Sequence, residues 1–325
     1  MKTRLFCLLL LAGICAGCGN AGTPTPGQTN AASTSPASSA PPSTSPGSSS
    51  TSPTAPPLTS PRRKSAAHVI LLVEENQSFA TVYHNRMPWL SALADKYGVA
   101  TNYDSDQPGS LLDYLWLSSG SGELNFGCSG NDCTRPITDD NIFRELNQRG
   151  MSWNVYTESL PSAGFMGPSA GLYVKRHNPA VWYSDVVNSP QQQQKVVPFT
   201  RFAVDLAANA LPDYAIIVPN LNDDAHNGSP EAADQWLKTN IGPLVNSRYF
   251  QSGSPSVMFI TFDNGDHDAQ GQVLTAVVGQ KVIPGVKVST HFRHENTLRT
   301  IMELLGLTRF PGASRTAAPM NEFFK

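Results

Sequence analysis

Glu75 and Asn76 place a carboxylate beside a carboxamide at the end of an unbroken apolar run, Val69 to Val73. A run of this kind, rich in β-branched residues, predicts a strand buried on both faces. In open α/β sheets ligands bind outside the carboxyl ends of the strands, so two hard oxygen donors there could hold a divalent cation. Equally, the pair could cap the next element. Two further apolar runs end in the same way: Tyr214–Val218 leads to Asp223-Asp224-Ala225-His226, and Val257–Phe262 leads to Asp263-Asn264. If the three strands are parallel neighbours, their polar ends share one rim of the sheet, which is the layout of a metal-centred active site. Ser110 is a group that such a metal would activate. It lies in Gly109-Ser110-Leu111-Leu112-Asp113, at the expected start of a helix, where free N–H groups and the dipole favour an alkoxide or a phosphate oxygen. A cation at its Oγ would lower the hydroxyl pKa further. Without one, Ser110 reads as a plain N-cap.

The elements that must position these residues alternate between strand and helix. Helices are expected over Pro88–Tyr97, stopped by Gly98, over Ser110–Leu117, and over Asp139–Gln148 before Gly150. Others are expected over Phe199–Leu211, from Ser229-Pro230-Glu231 through Trp236, Leu237 and Ile241, and over His294–Leu305. Each combines an apolar stripe with start and stop residues. Further strands are expected at Trp153–Tyr156 and Val273–Val278. The alternation predicts an α/β fold: a mostly parallel central sheet with helices on both faces, in three α/β/α layers.

The N-terminal part lies outside this pattern. Lys2 and Arg4 precede the apolar stretch Leu5–Ile14, too short to span a bilayer, and Ala16-Gly17-Cys18 closes it like a bacterial lipobox. Residues 1–18 are therefore expected to be a lipoprotein signal peptide, with Cys18 lipidated after cleavage; ordinary secretion is the alternative. Residues 19–64 are Ser, Thr, Pro, Gly and Ala with almost no large apolar side chain, which predicts a disordered tether. The remaining segment, 65–325, is long enough for one large domain. With the signal removed and Cys18 lipidated, Cys128 and Cys133 are left, spaced for a local disulfide in an oxidising compartment. A C-x4-C pair is only half of a zinc site, and no second pair exists. The loop between them is placed to shape a pocket rim. With 23 basic and 25 acidic side chains, a formal net charge of −2, nothing suggests nucleic-acid binding by charge.

Taken together, several blocks resemble a known family. They are His68 to Phe79, Ser110 to Ser121, Trp153 to Glu158, Tyr173 to Pro179, Pro219 to His226, Phe259 to Asp266 and His294 to Ile301. Their content and order are similar to the bacterial phosphoesterase family of acid phosphatases and phosphatidylcholine-hydrolysing phospholipases C, within the alkaline-phosphatase-like superfamily. The resemblance implies one divalent metal ion, of a kind the sequence does not name, held by Glu75, Asn76, Ser110, Asp263 and Asn264. It implies Ser110 as the nucleophile of a phosphoseryl intermediate. It places His177, His226 and His294 around the phosphate as catalytic groups, and His177, Asp224 and Arg293 as substrate contacts. Three positions depart from the family pattern: Asn264 stands for a glutamate, Gly109, Leu112 and Asp113 for Pro, Pro and Asn, and Arg293 for an acid or amide.

The expected protein is thus a monomeric, extracytoplasmic phosphomonoesterase of acid-phosphatase type. It is expected to be membrane-anchored through Cys18, or else secreted. Its substrate is a small phosphate ester or a phospholipid headgroup. The alternatives are a phospholipase C-type phosphodiesterase, a phosphoinositide phosphatase, and a phosphate-ester-binding lipoprotein that has lost turnover. Gly167-Pro168-Ser169-Ala170-Gly171 also matches a serine-esterase nucleophile elbow, a motif that requires a sharp strand-to-helix turn.

Overall fold

Eight strands make one mixed sheet in the order β4-β3-β5-β1-β6-β7-β2-β8 in the computed structural model, which describes residues 68–325. The expected signal peptide, Cys18 and the tether lie outside the described residues. In chain order the strands are β1 (Val69–Glu74), β2 (Gly98–Ala100), β3 (Trp153–Thr157), β4 (Val196–Pro198), β5 (Tyr214–Val218), β6 (Val257–Phe262), β7 (Thr275–Gly279) and β8 (Val286–Val288). The longer helices are α1 (Pro88–Lys96), α2 (Ser110–Ser119), α3 (Ile142–Gln148), α4 (Thr200–Ala207), α5 (Pro230–Asn240) and α6 (His294–Leu304).

The centre of the sheet is β5-β1-β6, all parallel, with Leu71 opposite Ile216 on one side and Phe259 on the other. These strands are buried along their whole length. That explains their largely apolar sequences, because a strand covered on both faces has no solvent side to mark with polar residues. The reversal comes at β7, which is antiparallel to both β6 and β2. The short strands β2, β4 and β8 were not expected. Each has three residues, too few to show a period.

Helix starts follow their caps. α3 begins at Ile142 rather than Asp139 because the Asn141 side chain accepts the Arg144 N–H at 3.0 Å. α1 has no cap of its own, since Met87 carries no acceptor. Asp234 of α5 supplies it, accepting the N–H groups of Trp89 at 2.9 Å and Leu90 at 2.8 Å. Asp234→Ala would leave both donors without a partner, and Leu90 is fully buried. We expect a loss of about 2 kcal/mol, read as a lower denaturant midpoint at unchanged m-value.

Candidate active site

The sheet brings the three polar strand ends together. Beyond the last β1 residue, the Glu75 N–H donates to the Asp224 carbonyl at 2.8 Å, and the Asp263 N–H donates to the Glu74 carbonyl at 2.9 Å. Asp224, Glu75 and Asp263 therefore stand side by side on one rim, as the ends of β5, β1 and β6. Asn76 follows with φ +52°, a left-handed conformation that Asn tolerates. Its N–H donates to Asp263 Oδ1 at 3.1 Å, and the Asn264 N–H donates to the same oxygen at 2.7 Å. Ser110 enters as the first residue of α2, and its Oγ donates to Glu75 Oε2 at 2.9 Å.

His177 lies in this cluster with its ring stacked on Tyr114, centroids 5.5 Å apart. Its Nε2 is 3.3 Å from Glu75 Oε1 and its Nδ1 is 3.3 Å from Asp224 Oδ2, yet neither contact has hydrogen-bond geometry. His226 sits beside it, with ring centroids 5.7 Å apart. Arg176 can only donate, so its Nη2, 2.9 Å from His226 Nε2, makes that nitrogen the acceptor; Nδ1 then donates to Asn227 Oδ1 at 3.0 Å.

Electrostatically the cluster is short of positive charge. Burial, then Asp263 and Asp224, raise the Glu75 carboxyl well above its ordinary range. Burial also raises Asp224 and Asp263. Burial, with Arg176 and His226 adding, holds His177 well below its ordinary range, so the contacts of His177 with the two acids are not ion pairs. Fully buried oxygens of Glu75, Asn76, Asp224, Asp263 and Asn264 have no hydrogen-bond partner. Buried polar atoms are rarely left in that state. A divalent cation fits this donor set, which is of hard oxygens. Ligand atoms of Glu75, His177 and His226 also lie within 4.8 Å of one another. His226 Nε2, however, already accepts from Arg176, so the oxygen set is the better cradle.

A second group within 4.8 Å comprises Asp106, Asp113 and His294, and it is organised differently. His294 Nε2 donates to the Asp263 carbonyl at 2.7 Å, and its Nδ1 is 3.0 Å from the Tyr103 hydroxyl. Both ring nitrogens are committed. Burial lowers the ring pKa to about 4. Asp113 Oδ1 accepts the N–H groups of Asp106 and Gln107 at 2.9 and 3.0 Å. Burial, then Asp263, raise its carboxyl well above the ordinary range. Arg293 lies 3.7 Å from Asp106 Oδ1.

A cavity of about 680 Å³ opens above the centre, lined by Asn76, Gln77, Arg86, His226, Ser229 and His267 among others. Asn76 and His226 thus belong both to the buried cluster and to the cavity wall. His294 and Arg293, expected at the phosphate, are not on that wall, and Asp224 is fully buried beneath it, accepting the His226 N–H at 2.8 Å. Ser110, Glu75 and Asp263 are not on that wall either, so the cavity does not separate these three from the expected nucleophile. Sequence reasoning missed Arg86 as a wall residue. Arg86 ends an irregular turn, Val82–Arg86, and no pattern announces it. Cys128 and Cys133 form the expected disulfide, but Cys133 lines a separate, smaller cavity with Lys175 and Trp182. Ser169 lies in an exposed loop and accepts the Lys175 N–H at 3.0 Å. The strand-to-helix turn of a nucleophile elbow is missing there, which removes the esterase reading.

Similarity to known proteins bears on the family and the fold. Among curated proteins, the chain is 29% identical over 262 residues to a phosphatidylinositol-3-phosphatase of Mycobacterium tuberculosis, covering 79% of this chain and 83% of that protein. It is 29% identical over 228 residues to a phosphate-repressible acid phosphatase of Penicillium chrysogenum, covering 67% of this chain and 54% of that protein, so it spans about half of that relative's length. Among solved structures, an alkaline-phosphatase-superfamily protein from Vibrio parahaemolyticus superposes with TM-score 0.52 at 11% identity, covering 74% of this chain and 66% of that one. The lipoteichoic acid synthase LtaP from Listeria monocytogenes gives TM-score 0.51 at 9% identity, covering 76% and 73%. At such identities the structural matches speak for the fold alone. The Phosphoesterase family profile matches residues 80–308, a span that holds Ser110, His177, His226 and Asp263, and the chain accordingly belongs to the phosphoesterase family as a phosphoric ester hydrolase.

Proposed function

We propose that the protein is an exported phosphomonoesterase of acid-phosphatase type, anchored through a lipid on Cys18, with Ser110 as its nucleophile. The observation that carries this reading is the Ser110 hydroxyl, buried at the start of α2 and donating to Glu75 among oxygens that have no partner. A divalent cation held by Glu75, Asn76, Asp263 and Asn264 would supply Lewis-acid polarisation and a lower hydroxyl pKa. The chain's own residues do the rest. Ser110 Oγ attacks phosphorus, its proton passing along the bond already made to Glu75 Oε2. The P–O bond to the alcohol breaks, leaving phosphoserine, and water then hydrolyses that ester. His226 stands on the cavity wall, and its Nδ1–H, held by Asn227 in the free protein, is the proton offered to the leaving oxygen. That the central strands are buried on both faces supports a three-layer arrangement around the sheet.

The cavity wall carries amides, hydroxyls, imidazoles, a guanidinium and the Asp266 carboxylate, and no aromatic ring other than histidine. Such a surface suits a polyol leaving group. Together with the mycobacterial relative, it favours phosphoinositide headgroups as a second reading. The test is turnover by the full chain in detergent, from about pH 5 to pH 8, a window that spans imidazole titration. Inositol phosphate, p-nitrophenyl phosphate and p-nitrophenylphosphorylcholine would be compared with and without chelator. Hydrolysis of monoesters alone, lost with chelator, supports the reading. Faster cleavage of the choline diester would turn it to a phospholipase C, and binding without turnover to a lipoprotein receptor. Under this reading His226→Ala lowers kcat roughly 10²-fold, and a substrate with a better leaving group recovers much of that loss.

A further inference from the structure

The disulfide loop makes a backbone contact with α2 whose purpose the mechanism above leaves open. Cys128 and Cys133 close a tight turn, in which the Ser129 N–H donates to the Asp132 carbonyl at 2.8 Å. Gly130, near the tip, presents its carbonyl to α2 and accepts the Leu111 N–H at 3.1 Å. That bond replaces the side-chain cap that α2 lacks, because its N-cap is Gly109. The two glycines touch backbone to backbone. Gly109 has φ +96°, and a Cβ placed on it would lie 2.5 Å from Gly130 Cα; a Cβ on Gly130 would lie 3.0 Å from Gly109 Cα. Ser129, Asn131 and Asp132 are exposed, whereas both cysteines are buried. The crosslink closes the base of this exposed loop, and just outside it the Thr134 hydroxyl donates to the Phe126 carbonyl at 3.0 Å.

We propose that the Cys128–Cys133 loop is a positioning clamp for catalysis: it pins Gly130 against Gly109 and so fixes the direction in which Ser110 Oγ meets the phosphorus. The clamp rests on the reading of Ser110 as nucleophile. Ser110 is the next residue after Gly109, and its hydroxyl reaches Glu75 only when the start of α2 is held. Displacing a reacting atom by about 1 Å costs roughly 10²-fold in rate, so a clamp at this point acts on kcat.

Two variants of the full chain test it, each measured per active site by single-turnover rate with p-nitrophenyl phosphate. Cys128→Ala/Cys133→Ala removes the crosslink. Gly130→Ala keeps the crosslink, confirmed by intact mass under alkylation, and forces the two backbones apart. Both are expected to lower the rate per titrated site tenfold or more, with KM and bound metal unchanged within about twofold. General destabilisation would instead lower the number of active sites and leave the rate of each one intact. Wild-type rates per site in both variants overturn the clamp, and if the double variant fails to fold, Gly130→Ala alone decides. Ser110→Ala is run in parallel. Turnover surviving in Ser110→Ala would refute the nucleophile itself, a result distinct from failure of the clamp.

Discussion

Ser110→Ala is expected to leave a folded protein whose phosphomonoester turnover is down by roughly 10⁴-fold or more, the scale seen when a covalent nucleophile is removed. The structural side of the expectation is mild. Ser110 is almost fully buried, and alanine deletes one hydroxyl, which donates to Glu75 beside Asp263. Alanine also suits the first turn of a helix. Cooperative melting should therefore persist. The chemical side is severe, because Ser110 is the hydroxyl that donates to Glu75 from the start of a helix. Trapping phosphate on the chain in acid would check it directly: label on wild type and none on the variant. Residual turnover within tenfold of wild type would mean that water attacks the ester directly, and Ser110 would be a cap after all.

Asp263→Asn should separate activity from stability. Asp263 Oδ1 accepts two N–H groups, and an amide oxygen can accept both. The second position is different. Asp263 Oδ2 has no partner, and the Asp263 charge is the first cause, after burial, of the raised Glu75 pKa. An amide N–H₂ there would offer Glu75 a donor in place of a crowding carboxyl. The metal-free protein should gain on the order of 1 kcal/mol, about 2–4 °C in Tm for a domain of this size. Divalent-cation affinity should fall at least 10- to 100-fold, the loss that even outer-sphere partners cause, and turnover should fall with it. Calorimetric melts with and without cation, beside a binding titration, check both halves. A lower metal-free Tm would show that Asp263 is a structural acid, and unchanged affinity would move the cation elsewhere.

Much of the centre was legible because burial on both faces writes itself into sequence. The runs at β1, β5 and β6 are largely apolar, and the chain turns polar as it leaves the sheet, at Glu74-Glu75, from Asn220 to Asp224, and at Asp263. Direction leaves no such mark. The run expected at Val273–Val278 became β7, Thr275–Gly279, and its antiparallel sense could not be read from apolar residues alone. Burial of a polar side chain is equally silent. Helix α6 turns His294 inward, where the Asp263 carbonyl and Tyr103 take both ring nitrogens. The contact of Gly109 with Gly130 depends on two backbones meeting across a loop, which no local pattern encodes.

The reversed strand has a consequence for how the fold could change. In a wholly parallel sheet, a chain leaving a strand at the active rim must cross back to the far edge before the next strand begins. Because β7 runs against β6, residues 263–274 never leave the rim. Midway along, Asp266 and His267 join the cavity wall, and Asp266 accepts the Ser78 N–H at 2.8 Å. A segment entering and leaving on the same side can lengthen or shorten without altering strand order or helix docking. This connection is where the scaffold could be tailored to larger or smaller alcohols by insertion, with Glu75 and Ser110 left in place.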